Sequence, residues 1–114
     1  MRQDAITQQA PGSVVQAGNQ GAAGPTHRVW PAYGEETGRR AGVWDSTHGS
    51  WDVHIAGYDE FCVIQEGEVV ITDLQGTQHR LIAGDSLVME DGFQGTWHVP
   101  HYARKYYFIT PSVK

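Results

Sequence analysis

Short apolar runs separated by turn residues fill the chain from Arg28 onward. Turn signals such as Glu66-Gly67, Gln75-Gly76 and Gly84-Asp85 recur about every ten residues, a spacing typical of β-sandwiches and barrels. Glycine at such turns supplies backbone conformations that β-branched residues avoid. The pattern predicts about eight strands, over Ala41–Asp45, Ser50–Ala56, Glu60–Gln65, Glu68–Asp73, Gln78–Ile82, Ser86–Met89, Phe93–Val99 and Arg104–Thr110.

Several of these runs alternate between two faces, as half-buried strands do. In the second run one face carries Trp51, Val53 and Ile55, and the other carries Asp52, His54 and Ala56. The only expected helical segment is a single turn near Gly34–Arg40. We therefore predict an all-β domain.

The first 25 residues differ from the rest of the chain, because Gln, Ala and Gly dominate them. Such a stretch buries too little apolar surface to offset the entropy lost on ordering. We predict a polar tail over residues 1–25, either disordered or draped over the domain or a partner subunit, and one domain over residues 26–114. The whole chain of 114 residues is long enough for a single core.

The charge balance excludes some classes of partner. The formal net charge is −5 and the basic pairs are only Arg39-Arg40 and Arg104-Lys105, so no nucleic-acid partner is expected. No apolar run approaches the roughly 20 residues that span a bilayer, and no membrane association is expected. The N-terminus carries no apolar segment typical of a signal peptide. Cys62 is the single cysteine, which favours a reducing, cytoplasmic location.

Two stretches together resemble the motifs of the cupin superfamily. The first runs from Glu60 to Gly67, and the second runs from Gly84-Asp85 to the Gly-x-Trp of Gly95 and Trp97. Gly42-Val43-Trp44 and Arg104-Lys105-Tyr106-Tyr107 extend the similarity to the cupin domain of (S)-ureidoglycine aminohydrolase. The resemblance implies a single-domain jelly-roll barrel of the RmlC-like type, a central pocket and a homodimer.

The metal pattern implied by the resemblance is incomplete. Metal-binding cupins carry two histidines one residue apart, a glutamate and a later histidine, a donor set suited to Mn, Fe, Ni or Zn. Glu60 matches the glutamate, but the paired histidines fall on His54 and Ala56, or on Val53 and Ile55 if the loop is one residue longer. The later histidine aligns with Gly95, and His98 should face the opposite side. We expect no cofactor; if a metal binds, its ligands are His54 and Glu60.

Lys105 is the candidate replacement for the metal charge. Alternation places either Lys105 or Arg104 inside the barrel, and the resemblance favours Lys105. A buried ammonium needs a partner, so the hypothesis is an ion pair with Glu60 that, with Trp97, orients a pocket ligand. The alternative is a lysine whose amine reaches water.

Other candidates have both a functional and a structural interpretation. Cys62 shares a face with Glu60, but its apolar neighbours favour a core residue over a nucleophile. For Trp44 and Trp51, core filling is favoured over pocket lining, because aromatic side chains bury large areas. Histidines 27, 48, 79 and 101 are expected on the surface. The pocket candidates are Glu60, Lys105, Trp97, His54, Cys62, Tyr107 and Trp51.

The leading functional prediction is a small-molecule binder that uses the barrel without a full set of metal ligands. One alternative is a metal-dependent, aminohydrolase-like cupin enzyme acting on a small nitrogenous or carboxylate substrate. Another is a non-catalytic structural or interaction subunit with a filled barrel. The sequence leaves open whether the protein is an enzyme.

Overall fold

The structure is a computed structural model, and it describes residues 13–16, 24–35 and 38–112. All regular structure in these ranges is β, and they contain no helix long and apolar enough to cross a membrane. The strands are β1 Ser13–Gln16, β2 Thr26–Gly34, β3 Arg40–His54, β4 Tyr58–Asp73, β5 Gln78–Ile82, β6 Ser86–Met89 and β7 Gln94–Pro111.

The strands form one antiparallel sheet in the order β1-β2-β3-β7-β4-β5, with β6 paired to β4. β7 pairs along its length with β3 on one side and with β4 on the other. The register shifts between Thr47 and Gly49 in β3, and between Gly67 and Val70 in β4. Such bulges bend and twist strands. The long strands therefore curl around one core, and the predicted all-β jelly-roll barrel is confirmed.

The core follows from the alternation of side chains along these strands. Ile55 is buried while its neighbour His54 is exposed, as the alternating pattern predicts. The buried cluster consists of Ile55, Cys62, Ile64, Val69, Ile71, Met89, Trp97, Val99 and Ala103.

The N-terminal part of the domain differs from the sequence prediction. Thr26–Gly34 forms β2, which the apolar pattern does not predict, and residues 13–16 of the expected tail form β1 beside it. The remaining tail residues, apart from Gly24 and Pro25, lie outside the described residues. In place of the expected helical turn, Gly34 and Arg40 pair across β2 and β3, and residues 36–37 of that turn lie outside the described residues.

Candidate functional site

A buried ion pair lies inside the barrel. Lys105 of β7 donates a hydrogen bond from Nζ to Oε2 of Glu60 of β4 at 2.7 Å, and each side chain is 9% exposed. Lys105, Tyr107 and Ile109 face inward, whereas Tyr106 is exposed on the opposite face. The ammonium therefore lies next to the carboxylate of Glu60, which the sequence predicts to face the barrel interior.

Opposite charge determines the ionisation of both groups. Burial acts to raise the pKa of Glu60, but the charge and hydrogen bond of Lys105, with a hydrogen bond from Cys62, hold it below its usual range. Burial acts to lower the pKa of Lys105, but interactions with Cys62 and Glu60 raise it above its usual range. Both groups are therefore charged at neutral pH.

Tryptophan rings surround the ammonium. Nζ of Lys105 lies 4.7 Å from the ring centroid of Trp44 and 4.5 Å from that of Trp97, both within the range of a cation–π interaction. Trp44 is paired with Lys105 across β3 and β7, and Trp51 is paired with Trp97 further along the same strands. The register thus brings Trp97 of β7 beside Trp44 and Trp51 of β3.

Two cavities flank the ion pair, and Trp44, Glu60 and Lys105 line both. The inner cavity has a volume of about 150 Å³. The outer cavity has a volume of about 260 Å³ and adds Arg40 and Tyr107 to its walls. The other polar or aromatic residues of the inner cavity are His27, Trp51, Tyr58 and Trp97.

Glycine at position 42 shapes the outer cavity. A Cβ atom there would lie 2.7 Å from the hydroxyl oxygen of Tyr107 and 2.5 Å from the carbonyl oxygen of Trp30. Gly42 is paired with Tyr107 across β3 and β7, so the missing side chain leaves room for the phenol ring.

Arg40, another residue of the outer cavity, stacks on Tyr58, with its guanidinium carbon 5.6 Å from the ring centroid.

The Cys62 thiol contacts the ion pair. Its Sγ donates to Oε2 of Glu60 at 3.1 Å, and the residue is fully buried. Burial, supported by Glu60, raises the pKa of Cys62 to about 12. Cys62 lines neither cavity beside the ion pair. The thiol is protonated and enclosed, which agrees with its interpretation as a core residue.

The residues present do not fit a cupin metal centre. His54 is exposed on the outer face of β3, Ala56 is also exposed, and Lys105 already occupies a carboxylate oxygen of Glu60. At Gly95 a Cβ atom would lie 2.5 Å from the carbonyl oxygen of Thr72, so no histidine fits without movement of the backbone. In the described ranges no three His, Cys, Asp or Glu side chains converge as metal ligands.

His54 does not lie beside Glu60, although the sequence analysis names it as a pocket candidate. His54 lines a different cavity of about 410 Å³ at the ends of β3, β4 and β7, away from the ion pair. The alternation that buries Ile55 turns His54 outward. The other candidates, Trp51, Trp97 and Tyr107, line the inner or the outer cavity.

The position of His27 differs from its prediction. It was expected on the surface, but it is 9% exposed and its ring lies 4.5 Å from that of Trp51 and 5.0 Å from that of Trp44, centroid to centroid. The sequence signal for this burial is the alternation of His27 and Val29 with the charged Arg28 along β2. Pro31 obscured this strand, because proline is uncommon inside strands. Histidines 48, 79 and 101 are exposed, as predicted.

Solved structures share this architecture. The EutQ protein of Clostridium difficile is 19% identical, with a TM-score of 0.71, over 89% of this chain and 75% of that chain. A DUF861-family protein of unknown function from Pseudomonas syringae is 24% identical with a TM-score of 0.70, over 94% of this chain and 46% of that chain. A DUF861-family protein from Thermotoga maritima is 28% identical, with a TM-score of 0.54, over 57% of this chain and 73% of that chain.

Sequence comparison agrees with the fold. No curated protein sequence matches the chain. Residues 33–107, which contain the ion pair and its surrounding tryptophans, match the family model of the EutQ-like cupin domain. The finer resemblance to (S)-ureidoglycine aminohydrolase stays a prediction. The motifs, the barrel and the family match together establish that the chain belongs to the cupin superfamily, as a EutQ-like cupin domain.

Proposed function

We propose that this cupin domain binds a small molecule inside its barrel, next to the Glu60–Lys105 ion pair. The observation that carries the proposal is the position of that pair between two cavities. A protein with a filled barrel would gain more stability from apolar residues there, because buried ion pairs contribute little net stability. Charged groups beside open volume are typical of ligand sites.

The cavities and the residues around Glu60 argue against the two alternative functions. A filled, purely structural barrel does not account for about 150 Å³ and 260 Å³ of space around charged groups. A metal-dependent aminohydrolase-like activity needs a ligand set that the residues around Glu60 do not supply. We therefore place the ammonium of Lys105, and not a metal ion, at the centre of ligand binding.

Thermal-shift screening with a library of single-ring and short-chain molecules tests the proposal. Ligands that bind the native state raise the melting temperature, by an amount that grows with the ratio of free ligand concentration to Kd. Compounds that stabilise the wild-type protein should lose their effect in Lys105→Met. The matched control is Arg80→Met, which removes a cation from the exposed ion pair with Glu68 and should leave the shifts unchanged.

Two results would contradict the proposal. One is a library in which no compound stabilises the wild-type protein. The other is a set of hits that stabilise Lys105→Met as strongly as Arg80→Met. If Lys105→Met does not fold, perturbation of the Trp44 and Trp97 indole signals in NMR spectra of the wild-type protein provides the same test.

The protein is further proposed to act as a homodimer. Phe61 of β4 is paired with Val88 of β6 and with Phe108 of β7, and this row faces away from the core. The three residues are 44%, 60% and 39% exposed, respectively. We refer to them as the outer apolar row. Contiguous exposed apolar surface of this kind supports association with a second copy.

A further inference from the structure

Two buried polar atoms beside the inner cavity lack hydrogen-bond partners. Nε1 of Trp97 and Nε2 of His27 are unpaired in the described part of the chain. Trp97 is 1% exposed and His27 is 9% exposed, and both residues line the inner cavity. A buried polar group without a partner is destabilising, so such groups are rare unless a ligand or water satisfies them.

The chemistry of the surrounding groups defines the complementary atom. The indole N–H of Trp97 can only donate, and the ammonium of Lys105 has three N–H donors, of which one is used on Glu60. Burial and the nearby charge of Lys105 lower the pKa of His27, so its ring is neutral at pH 7 and offers either a donor or an acceptor at Nε2. A ligand in this cavity must therefore present at least one acceptor.

Charge in the inner cavity favours an uncharged ligand. The charges of Glu60 and Lys105 cancel at 2.7 Å. An anion would compete with Glu60 for Lys105 and leave a net negative charge in a buried site, which is costly. Arg40 also acts on Glu60, but its side chain lines the outer cavity and not the inner one, so an anion would find its direct partner in the outer cavity.

The shape of the inner cavity favours one flat ring. Its volume is about 150 Å³, and three aromatic side chains, Trp44, Trp51 and Trp97, line it. A cavity of comparable size holds a benzene molecule in another protein. Aromatic side chains stack well on flat ligands.

We infer that the inner cavity binds a small, planar, uncharged ring that carries a hydrogen-bond acceptor, such as a cyclic amide or a nitrogen heteroaromatic, facing Trp97 and Lys105. This inference rests on the proposed function and specifies its ligand class.

NMR titration with three probes tests the inference. 2-Pyridone is a neutral ring with an acceptor, benzene lacks the acceptor, and benzoate carries a negative charge. We expect 2-pyridone to bind most tightly and to shift the indole ¹H–¹⁵N signal of Trp97 downfield. Trp97→Phe should weaken 2-pyridone binding roughly tenfold, because it removes a hydrogen bond to the ligand. Benzene affinity should change much less.

Trp51→Phe is the matched control. It removes a comparable ring area from the same cavity without removing a buried, unpaired donor, so it should spare the preference for 2-pyridone over benzene. Tighter binding of benzene or benzoate than of 2-pyridone overturns the inference and leaves the proposed function standing. An equal loss of the preference for 2-pyridone over benzene in both variants also overturns it.

If no probe moves any signal of the inner cavity, and the library screen is also negative, water fills the cavity and both proposals fail. The wild-type titration keeps the test decisive even if Trp97→Phe does not fold.

Discussion

At the scale of single residues, the alternation of side chains along a strand predicts the position of Lys105 but not all of its contacts. Because Arg104 and Lys105 are adjacent in a strand, one of these two cations must point into the barrel. In the structure it is Lys105, which binds Glu60. The cation–π contacts with Trp44 and Trp97 could not be predicted, because they depend on the register of β3 against β7. Register arises from the bulges and the packing of the whole sheet.

The lowered pKa of Glu60 predicts sensitivity to acid. Since the folded-state pKa lies below the ordinary value of 4.5, its stabilisation is present above that pH and is lost as the pH falls through the folded-state pKa. In Glu60→Gln, the free energy of unfolding should therefore fall less between about pH 5 and pH 3 than in the wild type. Urea unfolding across this range measures the difference.

Glu68→Gln is the control for this acid series. Glu68 forms a surface ion pair with Arg80 at 2.6 Å, a type of pair that contributes little to stability. It should leave the pH dependence close to that of the wild type. Identical acid profiles for Glu60→Gln and the wild type would show that Lys105 does not hold the carboxylate in its charged form.

The raised pKa of Cys62 predicts an inert thiol. With a pKa of about 12 and full burial, the thiolate is scarce at pH 8 and has no route to solvent. Iodoacetamide should therefore label the native protein slowly and the urea-unfolded protein rapidly, with mass spectrometry as the readout. Rapid labelling of the native protein would identify an accessible, activated thiol instead.

At the scale of elements, the apolar runs were predicted well and their ends were not. Ala41–Asp45 and Ser50–Ala56 were expected as two strands, but β3 runs through both and ends at His54. Glu66-Gly67 and Pro100-His101 likewise lie within β4 and β7 and not between strands. Turn residues inside a long curled strand form bulges, and a local pattern does not distinguish a bulge from a hairpin.

Gly67 is the strictest of these bulge positions. It has a φ of 84°, and a Cβ atom would lie 1.9 Å from the carbonyl oxygen of Tyr102 on β7. Gly57 has a similar φ of 90° but no atom within 4 Å of its Cβ position. Gly57→Ala should cost roughly 1–2 kcal/mol of unfolding free energy, the cost of a left-handed backbone for an L-residue. Gly67→Ala should cost clearly more, because β4 and β7 must also separate.

Urea unfolding of the two alanine variants measures both costs under one condition. Equal losses for Gly57→Ala and Gly67→Ala would mean that β4 and β7 do not approach as closely at Gly67 as the structure shows.

At the scale of the whole molecule, the outer apolar row predicts self-association. Light scattering coupled to size exclusion should give the mass of a dimer at micromolar concentration. Phe61→Asp with Phe108→Asp should give the monomer mass, because two charges in an apolar interface are costly. Tyr33→Asp, at another exposed aromatic residue outside that row, is the control. The proposed interface would be contradicted if the wild-type protein is a monomer, or if the double variant is still a dimer.

The central claim is that an ion pair between Glu60 and Lys105 takes the place of a metal centre in this cupin barrel, and a double-mutant cycle tests it most directly. Urea unfolding of Glu60→Gln and of Lys105→Met should each give a loss of about 3–5 kcal/mol, since each leaves a buried group without its partner. The double variant should lose less than the sum, by about 2 kcal/mol or more. Additive losses would contradict the account, because they would mean that the two groups do not stabilise each other in the folded protein.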